Sequence, residues 1–127
     1  MIRAEFWAAT DANSGIINGA SDPGKIGADS SYEVNIGDIR PDPKYGTWGI
    51  VDSAVPVPPV HKPGGRWNTY EIEARGTRMT VRLDGDVTVT LDNGKFPAGP
   101  IALQYGAGVQ GATGGPIKWR KVKVRTL

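Results

Sequence analysis

Cysteine is absent from the 127 residues, so neither a disulfide framework nor a thiolate metal site is available. A single histidine, His61, rules out a zinc site built on paired imidazoles. No apolar run approaches bilayer-spanning length, and the opening MIRAEFWAATDANSG lacks the basic stretch and apolar core of a secretion signal. The chain therefore reads as soluble, without a membrane partner and without an address; a periplasmic or extracellular home requires that a signal peptide has been removed. Phosphate-binding fingerprints are missing too, because the glycine-rich loop at 106–115 follows a strand but opens no helix. Nor does any window of helical length show a 3.6-residue apolar period.

What is plentiful points to strands. Eighteen glycines and ten prolines interrupt short runs of Val, Ile and Thr, which favours strands joined by tight turns. The length suits one domain, 1–127, with one core. The tail PIKWRKVKVRTL holds Lys118, Arg120, Lys121, Lys123 and Arg125 and no acid, so the rest of the chain is on balance acidic. A polyanion-binding edge is one reading of that tail. The preferred one is a terminal strand with a basic outer face, since lysine on an edge discourages aggregation; no nucleic-acid partner is expected.

IRAEFWA (2–8) and SGIING (14–19) read as strands around a polar turn, and 31–39 as a third. A proline-rich stretch from Pro41 to Gly65 follows, with a short strand at 47–51; so long a connection suits a wall or lid over a site. RWNTYEIEAR, RMTVRLD and DVTVTL alternate cleanly and form a meander, with Val87, Val89 and Leu91 inward and a type I′ hairpin at Asp84–Gly85. PIALQYG is a further strand. In the last strand the apolar phase shifts from Ile117 and Trp119 to Val122 and Val124, which predicts a β-bulge around Arg120 and Lys121. About nine strands of this kind make an all-β, two-sheet antiparallel sandwich of jelly-roll type.

Several stretches, in order, resemble the 3-keto-disaccharide hydrolase domain family: ANSGI (12–16), YEVNIGD (32–38), KPGGRWNTYEIEARGTRMTVRLDGDVTVTL (62–91), GPIALQYG (99–106) and IKWRKVKV (117–124). The third carries most weight. The resemblance spans nearly the whole chain and implies a concanavalin-like sandwich of lectin and glucanase type. It implies cleavage of a glycosidic bond after the 3-hydroxyl has been oxidised to a ketone, and so an oligosaccharide or glycoside as partner. The chain departs from the family at Asn18, where an arginine is usual, at Asn35, where glutamine is usual, and at Tyr105, close to which a histidine is usual; further strands usually precede the equivalent of IRAEFWA.

Within SYEVNIGD, simple alternation puts Glu33 and Asn35 on one face and Val34, Ile36 and Asp38 on the other. A bulge at Gly37 would return Asp38 to the face of Glu33. That spacing resembles the Glu-x-Asp-x-x-Glu pattern of laminarinase-type glucanases, but Asn35 cannot carry the middle charge, so an ordinary double-displacement glycosidase is not expected. Chemistry beside a ketone needs a base, something to hold the enolate and an acid for the leaving oxygen. Glu33 and Asp38 are the catalytic candidates, or hard oxygen ligands; the sequence fixes no cofactor, and a divalent metal, if used, rests on oxygens. The substrate-binding candidates are Asn13, Asn35, Gln104, Tyr105, His61 and Trp48, with Tyr45 a further ring able to stack on a pyranose; Trp67 and Tyr70 read as core.

Three classes of function follow: a small 3-keto-glycoside hydrolase or lyase, a non-catalytic carbohydrate-binding module using the same concave face, and a self-assembling structural sandwich that forms a homo-oligomer through an exposed sheet edge.

Overall fold

The computed structural model describes residues 1–27, 29–39, 42, 46–47, 49–54, 62–95, 99–107 and 114–127. They hold eight strands and no helix: β1 (Ile2–Ala8), β2 (Asn13–Asn18), β3 (Tyr32–Ile36), β4 (Trp67–Arg75), β5 (Arg78–Leu83), β6 (Asp86–Asp92), β7 (Ala102–Gly106) and β8 (Ile117–Val124). One antiparallel sheet has the order β6-β5-β4-β1-β8 and the other β3-β2-β7. The expected ninth strand is reduced to a bridge from Ile50 to Val34.

The core forms where alternation turns apolar side chains of both sheets toward each other. Ile2, Ala4 and Phe6 of β1, Tyr70 and Ile72 of β4, and Met79, Val81 and Leu83 of β5 face Ile16, Tyr32, Val34 and Ile36. Burying each large member is worth about 1.5–3 kcal/mol. Tyr70 also ties the sheets together: its ring lies 5.0 Å from that of Phe6, and its hydroxyl donates to the backbone carbonyl of Asn35 at 2.8 Å.

Turn chemistry fixes the registers. Asp84 and Gly85 both have positive φ, 51° and 93°, as a type I′ turn demands. The turn at Gly76–Thr77 has positive φ at Gly76 alone, the first central position, where a type II′ turn wants glycine. The bulge expected near Lys121 is present: β8 slips against β1 between Arg3 and Glu5, and Lys121 takes φ 51°.

Three expectations are corrected. Val87 points outward and is 46% exposed, while Thr88 is buried. The two-residue hairpin sets Leu83 opposite Asp86 and Arg82 opposite Val87, so Val87 takes the outward phase of Arg82; a bulge at Thr88 then brings Val89 inward opposite Val81. Trp67 lies on the outer face of the large sheet beside Trp7, with the Arg120 guanidinium 3.8 Å above its ring, and is not core. Strand β3 ends at Ile36, so Gly37 makes no bulge in a continuing strand.

Candidate functional site

Strand β2 is the middle of the smaller sheet, and its register decides what shares a face. Ser14 and Ile16 pair with Ile36 and Val34 on the core side. Gly15 therefore faces away from the large sheet, opposite Asn35 of β3 and Gln104 of β7; Ile17 pairs with Glu33 in the same phase. Asn13 belongs to this outward set as well, opposite Gly106. The result is a carboxylate and three carboxamides, Glu33, Asn35, Gln104 and Asn13, on one face of three adjacent strands.

Gly15 makes room for them. A Cβ there would stand 3.1 Å from Glu33 Cγ, 3.2 Å from its Oε1 and 3.0 Å from the Val34 carbonyl oxygen. The Glu33 side chain thus leans diagonally over the glycine, toward the row that Asn35 and Gln104 complete. Glu33 and Asn35 are 8% and 2% exposed, so both groups are largely withdrawn from water. Each is also held by its backbone: the Val51 amide donates to the Glu33 carbonyl at 3.0 Å, and the Asn35 amide donates to the Gly49 carbonyl at 3.1 Å. Residues 49–51 of the proline-rich stretch therefore run alongside β3.

Gln104 is positioned from behind. The Ser14 hydroxyl, fully buried on the core side, donates to the Gln104 backbone carbonyl. The side-chain Oε1 of Gln104 is buried and has no hydrogen-bond partner among the described residues. A buried acceptor left without a donor costs about 1–3 kcal/mol. Asn13 Nδ2 donates to the Ala107 carbonyl at 3.0 Å, lying across Gly106.

Asp38 does not join this row. It stands in the turn after β3, with Oδ1 accepting from the Thr47 hydroxyl at 2.7 Å and Oδ2 from the Gly64 amide at 2.7 Å. Thr47 in turn accepts from the Gly37 amide at 2.6 Å. Its carboxylate thereby fastens two points of the proline-rich stretch, Thr47 and Gly64, to the end of β3. Its charge is felt by the buried Tyr70 hydroxyl, whose pKa is pushed well above the ordinary 10.0 by burial first, then by Asp38 and Asp84.

Tyr105 is also placed apart. It pairs with Ser14 in the core-side phase, is 64% exposed at the sheet edge, and its hydroxyl donates to the Gly114 carbonyl at 2.8 Å. Tyr45, Trp48 and His61 lie outside the described residues. Among the described residues, no group of three or more His, Cys, Asp or Glu side chains could hold a metal ion, and no helix is long and apolar enough to cross a membrane. Residue-level reading missed Gly15 and Ser14; a glycine inside an apolar strand is the signal for a close approach of another group.

The structure is thus a two-sheet β-sandwich with a carboxylate and three carboxamides ranged across its smaller sheet. The chain belongs to the 3-keto-alpha-glucoside-1,2-lyase-like domain family, which matches residues 1–125, and so to a carbohydrate-processing family. Two solved structures from Parabacteroides distasonis, each described as a putative glycosyl hydrolase, share the fold. The first superposes with a TM-score of 0.77 at 21% identity, covering 99% of this chain and 77% of its own. The second has a TM-score of 0.74 at 15% identity, covering 95% of this chain and 68% of its own. No curated protein sequence matches the chain.

Proposed function

We propose that the domain cleaves the glycosidic bond of a 3-keto sugar, with Glu33 as the base. The observation that carries this reading is the Glu33 carboxylate, withdrawn from water and leaning over Gly15 into the Asn35–Gly15–Gln104 row. A ketone at C3 acidifies the neighbouring C–H at C2. The Glu33 carboxylate takes that proton, the electron pair passes into an enolate, and the enolate expels the glycosidic oxygen from C1, which leaves with a proton drawn from water. Water adding across the resulting C1–C2 double bond completes a net hydrolysis; without that addition the reaction is a lyase.

The carboxamides of Asn35, Gln104 and Asn13 serve as hydrogen-bonding groups for the sugar hydroxyls and the enolate oxygen. A divalent ion, if used, would be held by the side-chain oxygens of Glu33, Asn35 and Gln104 and would supply charge to the enolate; the unpartnered Gln104 Oε1 suits a cation as well as it suits a hydroxyl. In this reading Asp38 is a positioning residue, its two oxygens already engaged. Trp48 and His61 are assigned to substrate contact on their chemistry alone.

The test is incubation with a disaccharide oxidised at one 3-hydroxyl, followed by chromatography of the released sugars. Turnover that falls at least about 100-fold in Glu33→Gln with binding retained supports the assignment. Unchanged turnover in that variant removes Glu33 from the chemistry. Glycan binding by the wild-type protein with no turnover makes the domain a binding module instead.

A further inference from the structure

The edge strands here are β7, beside β2, and β8, beside β1, and the Tyr105 hydroxyl of β7 reaches the Gly114 carbonyl just before β8. Each turns apolar side chains toward the interior, yet those side chains are in water. Val124 shares the inward phase of Ile2, and Leu103 that of Ile16, but both are exposed, Val124 at 63%. Val122, also exposed, stands on the same side as Val124. Among the described residues, β8 pairs only with β1, so its other edge offers unpaired amides and carbonyls.

The opposite face of β8 is cationic and poorly compensated. Arg120 and Lys121 share the one acid Glu5, at 2.5 and 3.5 Å. Lys123 stands directly opposite Arg3, and like charges in that position repel. Lys123 and Arg125 have no acidic partner among the described residues.

We infer that the β8 edge beyond the Lys121 bulge accepts an extended segment of another polypeptide, with apolar residues alternating with acidic ones. Strand addition satisfies the free backbone groups. The apolar residues of the segment cover Val122 and Val124 at the mouth of the sandwich, and its acids fall beside Lys123 and Arg125. A second copy of this chain is the wrong occupant at this edge, because two β8 strands side by side set four cations against four without an acid between them. The bulge separates this segment from the Ile117–Arg120 half of the strand, whose Ile117 and Trp119 already pack on the core.

The probe is a capped peptide of about six residues alternating valine and glutamate, titrated into nitrogen-labelled protein. Amide shifts concentrated at residues 122–125 are expected, with binding at least about tenfold weaker for a valine–lysine peptide. In Lys123→Glu/Arg125→Glu the preference should invert toward the lysine peptide. Absence of saturable shifts, shifts elsewhere, or a preference that survives the double reversal overturns the inference. Sedimentation across a range of protein concentrations supplies the remaining outcome: a monomer agrees with it, and a dimer dissolved by Val124→Lys replaces it with self-pairing. Sugar turnover is not part of this readout, so the edge and the Glu33 site stand or fall separately.

Discussion

Gly15 and Glu33 sit on adjacent strands two register positions apart, and the absence of a side chain on the first defines the position of the second. A Cβ on residue 15 would come within 3.1 Å of Glu33 Cγ and 3.0 Å of the Val34 carbonyl oxygen, both tighter than ordinary contact. The carboxylate can move; the carbonyl belongs to the ladder and cannot. Gly15→Ala should therefore displace Glu33 by a few tenths of an ångström while the sandwich stays folded. Turnover of the keto disaccharide is expected to fall about tenfold to 100-fold, with a much smaller change in the urea midpoint. An unaltered rate would show that the lean of Glu33 does not matter.

Asp38 makes a stability prediction where the sequence suggested a catalytic one. Asp38→Ala removes the acceptor for both Thr47 and the Gly64 amide. The expected loss is about 2 kcal/mol, read from the shift of the urea unfolding transition. Asp38→Asn keeps one acceptor oxygen and should lose about half as much.

The Tyr70 hydroxyl is buried, and its pKa lies well above 10.0 for that reason first. The unfolded chain ionises its tyrosine near pH 10 while the folded chain holds the proton. Above that pH the unfolded state binds fewer protons than the folded state, so stability present below pH 10 is lost as pH rises toward the folded value. The urea midpoint should decline above pH 10, and Tyr70→Phe should make the decline shallower. At neutral pH the same variant forfeits the bond to the Asn35 carbonyl, at a cost of about 1–2 kcal/mol.

Lys121 holds a left-handed conformation, φ 51°, at the β8 bulge. A β-branched residue tolerates that region poorly, so Lys121→Val should destabilise by about 1–2 kcal/mol. Lys121→Gly should stay within about 0.5 kcal/mol of the parent, since relief of the backbone offsets glycine's entropy and the lost exposed pair with Glu5 is worth little.

The strands that were plain in the sequence are those whose alternation and turns agree. The β4–β5 meander follows from Tyr70, Ile72, Met79, Val81 and Leu83 with Gly76 between the strands, and the Lys121 bulge from the broken phase of Val122 and Val124. Val87 was misread because DVTVTL alternates perfectly on its own. The hairpin at Asp84–Gly85 sets its parity, and counting across that turn shows that Val81 would meet Thr88 unless a residue is bulged. Glu33, Asn35 and Gln104 were legible as polar residues in apolar strands. Their convergence was not, because it depends on which strands flank β2, a long-range fact that no local pattern carries. The bulge that was to bring Asp38 beside Glu33 is absent because the strand stops at Ile36, before the glycine asked to make it.

Strand β1 lies between β4 and β8, and the backbone groups of Met1 and Arg125 bond each other across a separation of 124 residues. The β4–β5–β6 meander can close early through its two short turns, whereas the β1–β8 ladder must wait for nearly the whole chain to be gathered in. Topologies of this kind fold in milliseconds to seconds. During that interval β1 has only one neighbour, and Phe6, later sealed under Tyr70 and Trp119, is accessible to any other hydrophobic chain. The β1–β8 ladder thus closes the longest loop of the large sheet, and the Trp119 cover over Phe6 depends on that closure.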